Sequence, residues 1–122
     1  MYRYRIALGA LLGALVLLAP TVAQGTAQKT ILNGTVGPGF TITLKDKAGH
    51  KVTKLKAGVY AIKVVDKSSI HNFRIKGPGL NKEITGVGFV GTKTAIVTLK
   101  AGKYTYVCDP HKTLMKGSVT VS

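Results

Sequence analysis

The sequence predicts a single all-β domain folded as a two-sheet sandwich. From Thr30 onward, short segments rich in Val, Ile and Thr alternate with turns of Gly, Pro and Lys, at a spacing of about ten residues. No stretch of this region competes with the apolar period of an amphipathic helix. The chain has 122 residues, and the roughly one hundred that follow a removable leader are enough to bury one core.

The leader is predicted at residues 1–23. It has arginines at positions 3 and 5, continues as an apolar run at 6–18, and ends in small residues, which is the pattern of a secretory signal peptide. The apolar run is too short to span a bilayer comfortably, so we expect cleavage after Ala23, or as late as Ala27, with an uncleaved anchor as the alternative. The mature product is then an exported domain at 30–122, in the periplasm or outside the cell.

Six strands follow from the pattern of apolar residues. They are expected at 40–44, 59–65, 70–75, 94–99, 104–108 and 117–121. In the first of them, Phe40, Ile42 and Leu44 alternate with threonines and therefore share one face. The segment 46–50 is expected to form a turn, and the turn-rich stretch 81–91 is expected to form the one long loop, with room for a short helical turn.

Two segments of the chain resemble each other. Both 55–60 and 99–104 have the sequence Leu-Lys-Ala-Gly-x-Tyr, in which one strand ends and the next begins. We interpret them as two similar hairpins in opposite parts of the sandwich. The first leads towards His71 and the second leads directly to Cys108.

A single cysteine, Cys108, is unusual in an exported protein, because such proteins usually contain an even number of cysteines that pair in disulfides. Without a partner in its own chain, Cys108 is a buried thiol, a site of intermolecular pairing or a metal ligand. Its neighbours favour the last of these, since His111 and Met115 follow in the pattern Cys-x-x-His-x-x-x-Met.

This pattern places thiolate, imidazole and thioether donors together. Two histidines and a cysteine with a weak axial methionine are the donor set of an electron-transfer copper site. His71 supplies the second imidazole, because on a strand at 70–75 it shares the inward face with Phe73 and Ile75. Zinc is disfavoured, because its sites do not recruit thioether sulfur. The remaining imidazole, His50, lies in the turn at 46–50 and is expected to be exposed and free of metal.

The chain resembles the cupredoxins, the plastocyanin and azurin type of blue copper protein, over about residues 30–122. The residues that carry the resemblance are His71-Asn72-Phe73 and the stretch 106–121, which runs from Tyr-Val-Cys-Asp-Pro-His through Met to a closing Gly-x-Val-x-Val strand. The resemblance implies a Greek-key sandwich, a type 1 copper ion and a bridging role for Asn72 between the two ligand loops. The spacing departs from the family pattern: three residues separate His111 from Met115, where plastocyanins have four and amicyanins two.

A mobile one-electron carrier outside the cytoplasm, and not an enzyme, is the function that this resemblance implies. The alternative is a protein that stores, delivers or senses copper through the same ligands. Copper enzymes of this fold need additional histidines for further ions, and this chain has three histidines in all. A copper-free structural sandwich is the remaining alternative, but it leaves the clustered soft donors unexplained.

The charge indicates the kind of partner. The net charge is +14, and it falls to about +12 once the leader is removed. Such a field speeds encounters with acidic redox partners or with an anionic membrane surface, while dispersed lysines also protect exposed sheet edges. Nucleic acid is disfavoured, because aromatic residues are not interleaved with the lysines. We expect a monomer.

An apolar collar is a further expectation for the docking of redox partners. It is expected to consist of Pro110 and Leu114, joined by Pro78 and Leu80, around the electron-transfer edge at His111.

Overall fold

The computed structural model describes residues 13–21 and 29–122. Residues 13–21 are exposed and have no regular secondary structure. The rest of the expected leader and both expected cleavage points, after Ala23 and Ala27, lie outside the described residues. Among the described residues, no helix has the length and apolar character needed to cross a membrane.

Residues 29–122 form a sandwich of nine strands. The strands are β1 (Thr30–Val36), β2 (Ile42–Lys45), β3 (Lys54–Leu55), β4 (Gly58–Asp66), β5 (Phe73–Gly77), β6 (Leu80–Thr85), β7 (Gly91–Leu99), β8 (Gly102–Val107) and β9 (Lys116–Val121). One sheet has the order β2-β1-β4-β7 and the other has the order β3-β9-β8-β5-β6. The pairs β1/β4 and β3/β9 are parallel and the other pairs are antiparallel. The predicted all-β, Greek-key sandwich is therefore confirmed.

The core lies between the two sheets and follows the period of two along each strand. In β8, Tyr104 and Tyr106 are buried, while Thr105 between them is only partly buried and Lys103 before them is exposed. The ring of Tyr106 stacks on Phe73, with centroids 5.8 Å apart and planes inclined by 4°. Gly34 of the opposite sheet faces this pair, and a Cβ there would lie 3.0 Å from the Phe73 ring. Large rings on one sheet thus pack against a small residue on the other.

The predicted loop at 81–91 is partly wrong, because β6 occupies its first half. In β6 only Ile84 and Thr85 are buried, and the three residues before them are exposed and polar. An edge strand with so little apolar content shows no alternation in its sequence, which is why the pattern missed it. Residues 86–90 do form the expected turns, without a helix.

The two similar segments are corners between sheets, and the predicted hairpins are wrong. β3 and β4 belong to different sheets, and so do β7 and β8. At the first corner the hydroxyl of Tyr60 donates to the carbonyl of Lys56 at 2.6 Å. At the second, the hydroxyl of Tyr104 donates to the carbonyl of Pro78 at 2.6 Å and accepts from the amide of Lys100 at 3.0 Å. Each tyrosine therefore ties the start of a strand to the bend that precedes it.

Replacing Gly102 at the second corner with alanine is expected to destabilise the fold by about 2 kcal/mol. Gly102 has a φ of 141°, and a Cβ there would lie 2.6 Å from Cγ of Pro78. Chemical unfolding of Gly102→Ala and of the control Gly39→Ala, whose Cβ would meet no atom within 4 Å, measures the difference. Equal stability of the two variants would contradict this account of the corner.

Candidate metal centre

Two segments distant in sequence meet at one end of the sandwich. The first consists of His71 and Asn72, which precede β5, and the second begins at Cys108, which follows β8. The expectation that His71 lies on a strand is wrong, because β5 begins only at Phe73. The physical reason is a local break in strand pairing: the register of β5 against β6 shifts after Phe73, whose amide donates to Oγ1 of Thr85 instead of to a ladder carbonyl. His71 is nevertheless fully buried.

The second segment folds back on itself as a compact loop. A short 3₁₀ turn spans Asp109–His111, with proline in its first positions. The amide of Cys108 donates to the carbonyl of Met115 at 3.0 Å, and the amide of Met115 donates to the carbonyl of His111 at 2.8 Å. Met115 is fully buried. These bonds bring the cysteine, histidine and methionine of the motif to one place.

Three of the predicted donor side chains converge at this end. Nδ1 of His71 lies 3.1 Å from Nδ1 of His111. Sγ of Cys108 lies 3.7 Å from the first nitrogen and 3.6 Å from the second. Among the described residues, these three form the cluster of His, Cys, Asp and Glu side chains that could hold a metal ion, with all donor atoms within 4.8 Å of one another.

The triangle fits a transition-metal ion. A point in the plane of the three atoms lies about 2 Å from each of them, close to the usual bond lengths from such an ion to imidazole nitrogen and thiolate sulfur. One soft thiolate and two imidazoles suit copper. His71 and Cys108 are fully buried and His111 is partly exposed, so the donors are shielded from water on all but one side.

Phe40 covers the two imidazoles, and the sequence did not indicate this. We expected it on a strand, on the same face as Ile42 and Leu44, but β2 begins only at Ile42, and Phe40 is 56% exposed. Its ring meets those of His71 and His111 edge-on, with centroids 5.4 and 4.9 Å apart. The signal that could have found it is the run Gly37-Pro38-Gly39, which ends a strand and leaves the following aromatic residue in the loop.

Asn72 joins the two segments by hydrogen bonds. Its Oδ1 accepts from the amide of Asp109 at 2.7 Å, and its Nδ2 donates to Oδ2 of the same residue at 2.7 Å. Nδ2 also donates to Oε2 of Glu83 on β6, at 3.1 Å. Because Asn72 and Asp109 each adjoin a residue of the triangle, this fully buried amide fixes the separation of the two segments.

Arg74 extends the network along the sheet, and motif reasoning had no signal for it. Its Nε donates to Oδ2 of Asp109 at 2.8 Å, and its Nη2 donates to Oε2 of Glu83 at 3.0 Å. Burial raises the pKa of Asp109, but hydrogen bonds from Arg74 and Asn72 and the charges of Arg74 and Lys76 outweigh burial and lower it overall. The hydrogen bond to Asp109 in turn raises the pKa of Arg74. The pair therefore remains charged and bound at neutral pH.

The third histidine and part of the expected collar lie elsewhere. His50 is exposed, as expected, and its Nδ1 lies 3.6 Å from Oδ2 of Asp46. Pro78 packs on Gly102, at the end of β8 opposite Cys108. With a rise of about 3.3 Å per residue, β8 separates these ends by roughly 20 Å. Pro78 and its neighbour Leu80 therefore cannot belong to a collar around His111, and that part of the expectation is wrong.

A β-sandwich that gathers two imidazoles and a thiol at one end defines the cupredoxin class of copper protein. Comparison with known families agrees: the sequence profile described as copper binding proteins, plastocyanin/azurin family, matches residues 19–122. The chain therefore belongs to this family, and copper, one ion per chain, is its cofactor.

Solved structures similar to this chain include several rusticyanins. Reduced rusticyanin has a TM-score of 0.58 and 24% identity, with 80% of this chain and 81% of that chain covered. Rusticyanin from Thiobacillus ferrooxidans has a TM-score of 0.54 and 24% identity, with 80% and 79% covered. These similarities support the fold. Among curated proteins, none matches the chain significantly in sequence.

Replacing Asn72 with alanine is expected to cost about 2 to 3 kcal/mol of unfolding free energy, because it leaves the amide of Asp109 without its acceptor. The matched control is Asn81→Ala, since Asn81 is exposed and only accepts from Nη1 of Arg74, and its cost is about 0.5 kcal/mol. Denaturant unfolding of both variants tests the difference, and similar losses would contradict a linking role for Asn72.

Proposed function

We propose that this protein is an exported type 1 copper protein that carries single electrons between larger redox proteins. The observation that supports this best is the triangle of two Nδ1 atoms and Sγ, with sides of 3.1, 3.6 and 3.7 Å. In this proposal His71, Cys108 and His111 are the strong ligands and Met115 is the weak axial one. A bound copper ion supplies the one-electron couple, and the chain holds its donors nearly fixed through the exchange.

The burial of the donors favours a carrier over an enzyme. His71, Cys108 and Met115 are each fully buried, so a substrate molecule has no path to the ion from three directions. The fourth direction is closed in part by the ring of Phe40. Electrons need no such path, whereas catalysis at a metal requires an open coordination position.

The exposed surface around His111 suits brief contact with another protein. Phe40, Ile70 and Leu114 are exposed apolar side chains within or next to the segments that form the centre, and Leu114 is 70% exposed. Exposed apolar groups grouped in this way are typical of interaction sites. In this proposal electrons enter and leave through the partly exposed edge of His111. Export rests on the signal-like leader, which would bring the domain to the periplasm or beyond.

Adding Cu(II) to the purified protein is expected to produce an intense blue thiolate-to-copper band and the narrow electron-spin splitting of a type 1 site. Cys108→Ser should abolish the band, because the thiolate is its source. Met115→Leu should keep the band and raise the reduction potential, because a weaker axial donor stabilises Cu(II) less. A protein that stays colourless with copper in excess would contradict the proposed ligand set.

Repeated oxidation and reduction in the presence of a copper chelator separates a carrier from a copper-delivery protein. A carrier keeps its blue band through many cycles, since the same buried donors serve both oxidation states. Loss of copper to the chelator at each reduction would instead favour storage or delivery.

Leu114→Lys is expected to slow electron self-exchange about tenfold or more, because it places a charge where the apolar surfaces around His111 of two molecules must meet. The matched control is Leu80→Lys, since Leu80 lies on β6 at the opposite end of the sandwich. Nuclear magnetic resonance line broadening of mixed Cu(I) and Cu(II) samples measures the rate. Equal rates in both variants would contradict docking at the His111 end.

A further inference from the structure

The outer face of the five-stranded sheet carries lysines around a shallow depression. Lys54, Lys103 and Lys116 lie on its strands and Lys51 lies on the segment before β3, and the four are called here the lysine face. Lys54 and Lys103 flank Thr120 in one row across three strands, because both are paired in register with it. The hydroxyls of Thr105, Ser118 and Thr120 also line the depression. Cations and hydrogen-bond donors thus share one shallow surface.

No ion pair with a side-chain carboxylate neutralises this surface within residues 29–122. Oδ2 of Asp46 lies beside His50, Asp66 is buried, and Glu83 and Asp109 are ion paired with Arg74. None of the ion pairs of this range includes a lysine. Lys54 and Lys103 stand two strand spacings apart, roughly 10 Å, which is about the distance over which charges still interact in physiological salt. A negatively charged surface laid on this face would remove that repulsion.

The face lacks the apolar centre of a protein interface. Among the described residues, none of the large exposed apolar side chains lies on β3, β8 or β9. Specific protein interfaces have an apolar core and are depleted in lysine. Spaced lysines and hydroxyls without such a core match a layer of lipid headgroups, for which each lysine contributes independently and no matching shape is needed.

We propose that the lysine face binds the anionic headgroups of a membrane surface. The face lies on the broad side of the sandwich, whereas the metal centre lies at its end, beyond the last residue of β8. A protein lying on the membrane by its lysine face keeps the apolar surface around His111 free, pointing along the membrane. The proposal depends on the fold and the charges and does not depend on the copper chemistry.

The test is sedimentation of the full chain with vesicles of phosphatidylglycerol and phosphatidylcholine, and with vesicles of phosphatidylcholine alone. The triple variant Lys54→Gln, Lys103→Gln and Lys116→Gln is expected to bind the anionic vesicles about a hundredfold more weakly, at about fivefold per lysine. The matched control removes three charges elsewhere, at Lys63 on β4, Lys67 directly after β4, and Lys93 on β7. All three side chains are exposed. The control variant should bind within about threefold of the parent.

Arginine at the three positions of the lysine face should preserve binding, which keeps the test decisive if the glutamine variant folds poorly. Unchanged copper spectra in every variant would separate this result from the proposed function. Equal weakening in the face and control variants would overturn the proposal, since net charge alone would then explain binding. Vesicle binding that is equal on neutral lipid would also overturn it, because the apolar leader would then be responsible. Face-dependent binding to immobilised polyglutamate, without binding to anionic vesicles, would overturn it in favour of an acidic protein partner.

Discussion

The link between Asn72 and Asp109 is the interaction on which the metal centre depends. The two residues are 37 positions apart in sequence, and each adjoins a donor of the triangle. The pairing of β5 with β8 ends at Arg74 and Val107, and two hydrogen bonds of 2.7 Å between Asn72 and Asp109 continue the link to the residues that adjoin the donors. Because the amide is buried, water cannot replace either bond without opening the end of the sandwich. The donor geometry is therefore a property of the folded chain and does not have to be imposed by the ion.

Much of the fold and most of the donor set could be predicted from the sequence. Strands with buried alternate residues, such as β8 with Tyr104 and Tyr106, show a clear period of two. The grouping of Cys108 and His111 at one possible metal site could be predicted because soft donors at short spacing are rare without a metal, and Met115 stays a predicted donor. His71 could be selected because few other imidazoles exist in the chain. Local pattern and residue chemistry were sufficient in these cases.

The features that were missed depend on contacts between distant parts of the chain. The edge strand β6 is stabilised by pairing with β5, and its polar residues give no apolar signal. The corners near Tyr60 and Tyr104 have the local sequence of hairpins, and only the packing of two sheets decides that the chain crosses between them. Arg74 and Glu83 belong to no sequence motif. They reach Asp109 and Asn72 only because of the register of β5, β6 and β8 and the position of the loop after Cys108. Tertiary placement, and not propensity, decides such positions.

In the proposed function, the position of Phe40 affects how the surrounding solvent responds to electron transfer. Its ring stands against both imidazoles, on a loop of the sheet opposite to the one that leads to Cys108. Fewer water molecules then lie near the centre, and an apolar shell of this kind lowers the local dielectric constant. When the charge of the centre changes by one, fewer solvent dipoles must reorient. A side chain that is not a metal ligand would thus reduce the reorganisation energy of the proposed exchange, and the size of residue 40 would become a means of tuning its rate.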